Sequence, residues 1–349
     1  MKIGLIIYGS LDILSGGYLY DRKLVEYLRA KGDNVEIISL PWRSYATHLM
    51  DNFHFRLPSN LDILIQDELN HPSLISANRR KHPCPVISLV HHLRCSELRH
   101  RWQNAFYRVI EKKYLQSLDG FIFNSKTTQS VVNRLIVNSK SSIVAYPPTD
   151  RFGRPLSEEE IISRAQTNPL RILFLGNVIE RKGLHTLLKA IGSQPSSCIL
   201  DIVGPLNSEP EYVKQMQEFV VFHGLSSFVF FHGPLDKEPL IEKLRQAHLL
   251  AIPSSYEGFG IAYLEGMCFG LPAIGTTAGA AAEIIEDGQT GYLIGPNDSA
   301  SLARRIRSLA EDRGLLTRLS FNARERYLHQ PPWEETAKRI RKFLYSVAN

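Results

Sequence analysis

The sequence predicts an α/β chain of two Rossmann-like, doubly wound domains, on three observations. Short strand-like runs alternate with helical patterns through the first 146 residues, a Pro- and Gly-rich stretch then interrupts them, and the same alternation restarts. Strands alternating with helices imply a parallel sheet, and ligands bind such sheets outside the carboxyl ends of the strands. The 349 residues suffice for two hydrophobic cores, with 44% hydrophobic and 22% charged residues. That balance excludes a disordered chain, a collagen and a disulfide scaffold.

The first domain, residues 1–150, opens as β-α-β: Lys2 to Tyr8, a helix from about Tyr18 to Lys31, then Val35 to Leu40. Further strands are expected at Ile63 to Gln66, Val86 to Val90, Gly120 to Phe123 and Ile143 to Tyr146. Residues 151–168, with Gly153, Pro155 and the acidic run Glu158 to Glu160, read as a linker. The second domain, 169–329, is expected to hold strands at Arg171 to Leu175, Cys198 to Val203, Phe228 to Phe231, Leu249 to Ile252 and Pro272 to Gly275. Its helices fall at Leu184 to Ile191 and Tyr212 to Phe222. Residues 330–349 give an amphipathic helix from about Trp333 to Ser346, expected to pack back across both domains, which would face each other over a cleft.

Charge is unevenly placed. The formal net charge is +6; residues 1–165 hold 22 Lys+Arg against 16 Asp+Glu, and residues 166–349 hold 19 of each. A basic first half beside a neutral second half suits an anionic acceptor or surface for one and a small molecule for the other. A helix read between Arg94 and Lys113 places Leu98, Trp102, Ala105, Phe106 and Val109 on one side, with Arg94, Arg101, Arg108 and Lys112 beside them. Such a helix either covers the sheet or lies on anionic lipid, and the interrupting Glu97 and Glu111 favour the former. No nucleic-acid recognition module accompanies the basic residues. The four cysteines show no C-x-x-C spacing, the apolar start at Ile3 to Tyr8 is too short for a signal peptide, and no run reaches the roughly 18 residues of a membrane span. The expected setting is cytoplasmic, with any membrane contact peripheral.

Four segments carry candidate chemistry. In Pro253 to Glu265, Glu257 and Glu265 are separated by seven residues, with Gly258 and Gly260 between them just after a strand. Glycines there let amides approach a phosphate or hydroxyl, and a helix starting near Ile261 adds its unpaired N–H groups. Glu265 in that helix suits a ribose diol. In Gly176 to Gly183, Arg181 and Lys182 follow a strand end, and two cations beside a glycine turn suit a diphosphate leaving group. Ser15-Gly16-Gly17-Tyr18 is a glycine turn before the first helix that matches neither a dinucleotide fingerprint nor a Walker sequence. His91-His92 follows the strand Val86 to Val90. No D-x-D, H-E-x-x-H or cysteine cluster offers a metal grip, so no metal is expected.

Together these residues resemble the family 4 retaining glycosyltransferases of GT-B fold, over nearly the whole chain. The matching motifs are Gly16-Gly17, His91, Asp150-Arg-Phe152, Lys182-Gly183, Glu257 with Glu265, and the stretch Gly279 to Gly291. The resemblance implies transfer of a hexose-type sugar from a nucleoside-diphosphate sugar to a hydroxyl of a lipid, glycan or small molecule, with retention and without metal or cofactor. Glu257 and His91 would be the catalytic residues. Gly17, Asn177, Arg181, Lys182, Gly258, Phe259, Gly260, Ile261 and Glu265 would bind the donor. Many members carry arginine where this chain has Asn177, and Arg181 is the available replacement charge. A nucleotide-sugar 2-epimerase of similar architecture, and a nucleotide-sugar-binding protein without turnover, share the same residues.

Overall fold

The computed structural model describes residues 1–137, 140–148, 150–193 and 198–348. The chain divides into two compact units, one formed by Met1–Pro148 with Pro331–Asn349, the other by Thr149–Gln330.

The first unit is built on a wholly parallel six-stranded sheet. Its strands are β1 (Lys2–Tyr8), β2 (Asn34–Leu40), β3 (Ile63–Asp67), β4 (Val86–Val90), β5 (Gly120–Phe123) and β6 (Ser141–Val144), in the order β2-β1-β3-β4-β5-β6. Helices α1 (Gly16–Ala30), α2 (Tyr45–Asp51), α3 (His71–Arg79), α4 (Arg101–Gln116) and α5 (Lys126–Leu135) connect them. The inner strands β1, β3, β4 and β5 are buried along nearly their whole length because both faces are covered, whereas the edge strands β2 and β6 are partly exposed. Ile3, Leu5, Ile63 and Ile65 pack with Tyr20, Leu24 and Leu28 of α1 on one face. Ile6, Leu64, Val86 and Val90 pack with Tyr114 and Leu115 of α4 on the other. The order of connection reverses between β1 and β3, which opens a crevice at their carboxyl ends.

The helix expected from Arg94 to Lys113 is broken. Arg94–Ser96 is a single 3-10 turn, and α4 begins only at Arg101. The buried Glu111 carboxylate accepts from the backbone N–H groups of Arg94 and Cys95, holding that turn away from the helix. Arg94 therefore leaves the basic edge, and its guanidinium lies 4.8 Å from the Tyr107 ring centroid. The face packed inward is Ile110, Tyr114 and Leu115, whereas Leu98, Trp102, Phe106 and Val109 are 59, 70, 49 and 54% exposed.

The second unit carries another wholly parallel sheet. Helix α6 (Glu158–Ala165) precedes β7 (Leu170–Leu175), α7 (Leu184–Gly192), β8 (Cys198–Val203), α8 (Pro210–Phe222), β9 (Val229–Gly233), α9 (Lys237–Gln246), β10 (Leu249–Ala251), α10 (Ile261–Cys268), β11 (Ala273–Thr276), β12 (Gly291–Ile294), α11 (Ser299–Glu311) and α12 (Arg313–Leu328). The order is β12-β11-β10-β7-β8-β9, so the reversal falls between β7 and β10. The stretch read as a linker is packed into this unit. Its Ser157 and Glu160 form a capping box that starts α6, Leu156 N–H donates to the Cys268 carbonyl at 3.0 Å, and Arg164 reaches the carbonyls of Phe269 and Gly270 at 2.7 and 2.8 Å. The acidic run is thus a helix start.

After Gln330 the chain returns to the first unit as α13 (Trp333–Ala348). Its stripe of Trp333, Ala337, Ile340 and Leu344 lies in the same cluster as Ile3, Leu5 and Tyr20. Arg341 and Tyr345 bind the Asp33 carboxylate at 2.7 and 2.6 Å. Ile340→Ala empties part of that core and should cost about 2–5 kcal/mol. Urea unfolding should show a lower midpoint with an unchanged slope.

Candidate active site

The crevice of the second unit gathers most of the residues singled out above. Beyond β7 the chain turns through Gly176 and passes Asn177, whose carbonyl accepts from Ile179 N–H at 3.0 Å. The turn Glu180–Lys182 then ends at Gly183, which has φ +73° and whose added Cβ would lie 2.1 Å from the Pro253 carbonyl oxygen. Only glycine permits that approach. It brings the lysine loop against the loop after β10, where Ser255 N–H donates to the Arg181 carbonyl at 2.8 Å and Arg181 Nη1 donates to the Tyr256 carbonyl at 2.8 Å.

This pinning sets the central pair. Lys182 Nζ donates to Glu257 Oε2 at 2.7 Å, and Ser254 Oγ donates to the same oxygen at 3.1 Å. Burial pulls the Lys182 ammonium below the usual lysine range, with Glu257 opposing. For Glu257 burial acts upward, but Lys182 and Arg181 together outweigh it and hold the carboxyl below its ordinary value. The Glu257 backbone is fixed in turn, its carbonyl accepting from Ala280 N–H at 2.7 Å.

Gly260, at φ +100°, opens α10, and Glu265 lies in that helix's second turn as the sequence predicts. Glu265 is 5% exposed and accepts from Arg151 Nη1 at 3.2 Å. Burial raises its pKa and Arg151 counteracts that. Arg151 belongs to the Asp150-Arg-Phe152 motif, but its pairing with Glu265 carries no sequence signal. Gly258 and Phe259 lie in the loop between the two glutamates, and Ile261 is the first residue of α10.

Gly17 and His91 belong to the first unit. A Cβ on Gly17 would lie 3.3 Å from His91 Cδ2, so the glycine turn admits the imidazole. His91 Nε2 faces Asp21 Oδ1 at 3.3 Å, and the nearby Asp67 is fully buried. Burial depresses the His91 pKa, but the Asp21 hydrogen bond and the charges of Asp21 and Asp67 raise it overall. Burial followed by the Asp21 charge lifts Asp67 to about 7. His92 turns elsewhere and meets Glu97 Oε1 at 2.9 Å. Asp21 and Asp67 are functional candidates that no sequence motif marks.

A hollow of about 620 Å³ between α7 and α8, lined by residues such as His185, Tyr212 and Met216, contains none of the predicted residues. The convergence of buried charge at the β7/β10 reversal locates the site more directly than volume does.

Residues 157–326 match the family described as glycosyl transferases group 1. The matched segment covers just under half of the chain. It contains Lys182, Glu257 and Glu265 and the whole of the second sheet. The chain is 28% identical over 206 residues to glycogen synthase of Mycobacterium tuberculosis, covering 54% of this chain and 49% of that protein. It is 27% identical over 263 residues to the D-rhamnosyltransferase WbpZ of Pseudomonas aeruginosa, covering 70% and 67%. The chain spans about half the length of the first curated relatives it matches. Among solved structures, sucrose-phosphate synthase of Thermosynechococcus elongatus superposes with a TM-score of 0.84 at 20% identity, covering 99% and 98% of the two chains. Anabaena Alr3699/HepE in complex with UDP and glucose gives 0.76 at 19% identity, covering 99% and 100%. The expected GT-B fold class is borne out as two units, each with a parallel six-stranded Rossmann-like sheet, the second holding the matched segment.

Proposed function

We propose that this chain is a family 4 retaining glycosyltransferase that moves a hexose-type sugar from a nucleoside-diphosphate sugar to a hydroxyl acceptor. The observation that carries the reading is the buried Lys182–Glu257 pair, pinned between the β7 and β10 loops with Glu265 one helix turn beyond. In this reading Lys182 and Arg181 neutralise the departing diphosphate, which takes the bonding pair from the anomeric carbon without a metal. Asn177 lines the same loop without supplying charge. Glu265 accepts from the ribose hydroxyls, and Glu257 with the amides of Gly258 to Ile261 holds the sugar and phosphates. For His91 and Gly17 the reading keeps the roles that the resemblance implies, catalysis and donor binding. The acceptor oxygen bonds to the anomeric carbon on the face the diphosphate leaves, and its proton passes to a diphosphate oxygen. The UDP and glucose named for Anabaena HepE support a UDP-sugar as the first donor to try.

Incubation with labelled nucleotide sugars tests this. Transfer, or slow donor hydrolysis with retained configuration, is the expected outcome. An isomeric nucleotide sugar would mark an epimerase, and binding without turnover would mark a binding protein. A matched donor should also raise the melting temperature with concentration, because it binds only the folded chain.

We further propose that the acceptor side meets an anionic membrane surface from the cytoplasmic side. Exposed Trp102, Phe106 and Val109 on α4 lie on the helix that carries Arg101, Arg108, Lys112 and Lys113, a pairing suited to acidic headgroups. No helix among the described residues is long and apolar enough to cross a membrane. Sedimentation with phosphatidylglycerol vesicles should fall at high salt and fall several-fold in Trp102→Ala with Phe106→Ala. Equal binding to neutral vesicles would contradict it.

A further inference from the structure

We infer that Asp21, Asp67 and His91 form a binding site for a divalent transition-metal ion. The three side chains come from α1, the end of β3 and the residue after β4, and they meet at the β1/β3 reversal, where this fold places ligands. One donor atom from each lies within 4.8 Å of those from the other two. Donors that each sit about 2.1 Å from an ion are at most about 4.2 Å apart, so small side-chain rotations complete the set.

The unsatisfied atoms decide the case. Both aspartates are fully buried, and no N–H or hydroxyl among the described residues donates to Asp21 Oδ2 or Asp67 Oδ2. Asp67 Oδ1 accepts from Leu69 N–H at 2.9 Å, Asp21 Oδ1 meets His91, and the two carboxyls also meet each other. His91 supplies at most one positive charge to two adjacent buried carboxyls, which leaves room for a cation between them, since an uncompensated buried charge costs several kcal/mol. The neighbouring trio Glu68, His71 and Glu111 differs. There His71 already uses both nitrogens, on the Glu68 carbonyl and the Tyr45 hydroxyl, and Glu111 holds two backbone N–H groups.

Two carboxylates and an imidazole make a mixed oxygen and nitrogen set, which suits Zn²⁺ or Mn²⁺ better than Ca²⁺ or Mg²⁺. His91 would bind through Nε2, the nitrogen that faces Asp21. The site stands on the first unit alone and goes beyond the donor reading, whose diphosphate cations are Lys182 and Arg181 of the second unit.

The full chain, stripped with chelator and desalted, is dialysed separately against Zn²⁺ and Mn²⁺, and bound metal is measured by mass spectrometry alongside thermal unfolding. One saturable equivalent of at least one ion, with a raised melting temperature, is expected. Asp67→Asn and Asp21→Asn should each weaken that equivalent by at least about tenfold. Both are isosteric and keep the site's volume, so near-ultraviolet circular dichroism can establish that each variant is folded, and either one suffices. Failure of both ions to bind, or an equivalent that survives both variants unchanged, overturns the inference. Neither readout involves sugar transfer, so the two proposals fail independently.

Discussion

Lys182→Ala should lower sugar transfer by roughly 10²–10³-fold, the scale seen when one group that stabilises transition-state charge is removed. Most of the loss should appear in the chemical step, with donor affinity falling as well, because in the proposed mechanism the ammonium meets both bound and departing diphosphate. The same change strands Glu257, whose Oε2 would keep only the Ser254 hydroxyl among its side-chain partners. Breaking a buried pair on one side costs about 3–5 kcal/mol, so denaturant unfolding should shift alongside the kinetics. Lys182→Ala with Glu257→Gln should recover stability but not transfer. Transfer at the parental rate in Lys182→Ala would remove the lysine from the donor site.

Gly183→Ala should damage the fold and the site together. The residue has φ +73°, and the new methyl would stand 2.1 Å from the Pro253 carbonyl oxygen, a rigid backbone atom. Left-handed backbone costs an alanine about 1–2 kcal/mol, and overpacking adds about 1–3 kcal/mol. Relief requires the loop after β10 to retreat, which would draw Glu257 away from Lys182. The expected result is a melting temperature lower by several degrees with donor affinity reduced at least tenfold. Gly153→Ala is the control. It also has positive φ, but its Cβ meets nothing within 4 Å, so it should lose stability without losing donor binding.

Much of this was legible in the sequence where one segment carries its own signal. The strands β1, β4, β5 and β8 fall on the residues expected, because each is an apolar run buried on both faces. Glu257, Glu265 and Lys182 stand out as candidates because their segments are glycine-punctuated and follow strand ends. What escaped depends on distant partners. Helix α4 starts late because its own Glu111, 17 residues beyond Arg94, captures the amides of Arg94 and Cys95. Asp21 and Asp67 are unremarkable as letters and meaningful only where α1 and β3 bring them beside His91. Arg151 stands in a recognised motif, yet its pairing with Glu265 needs the packing of α10. Strand β12, four residues long, and the helices α11 and α12 lay outside the alternation read from sequence.

The return of α13 to the first unit has a consequence for synthesis. The second unit is one uninterrupted stretch, whereas the first lacks Trp333, Ile340 and Leu344 until the residues after Gln330 have been made. A ribosome delivers the chain in order, so the later-encoded domain can close its core before the earlier one does. Until then α1 alone covers that face of the first sheet and part of its apolar surface stays open, and that interval is when a nascent chain most needs a chaperone.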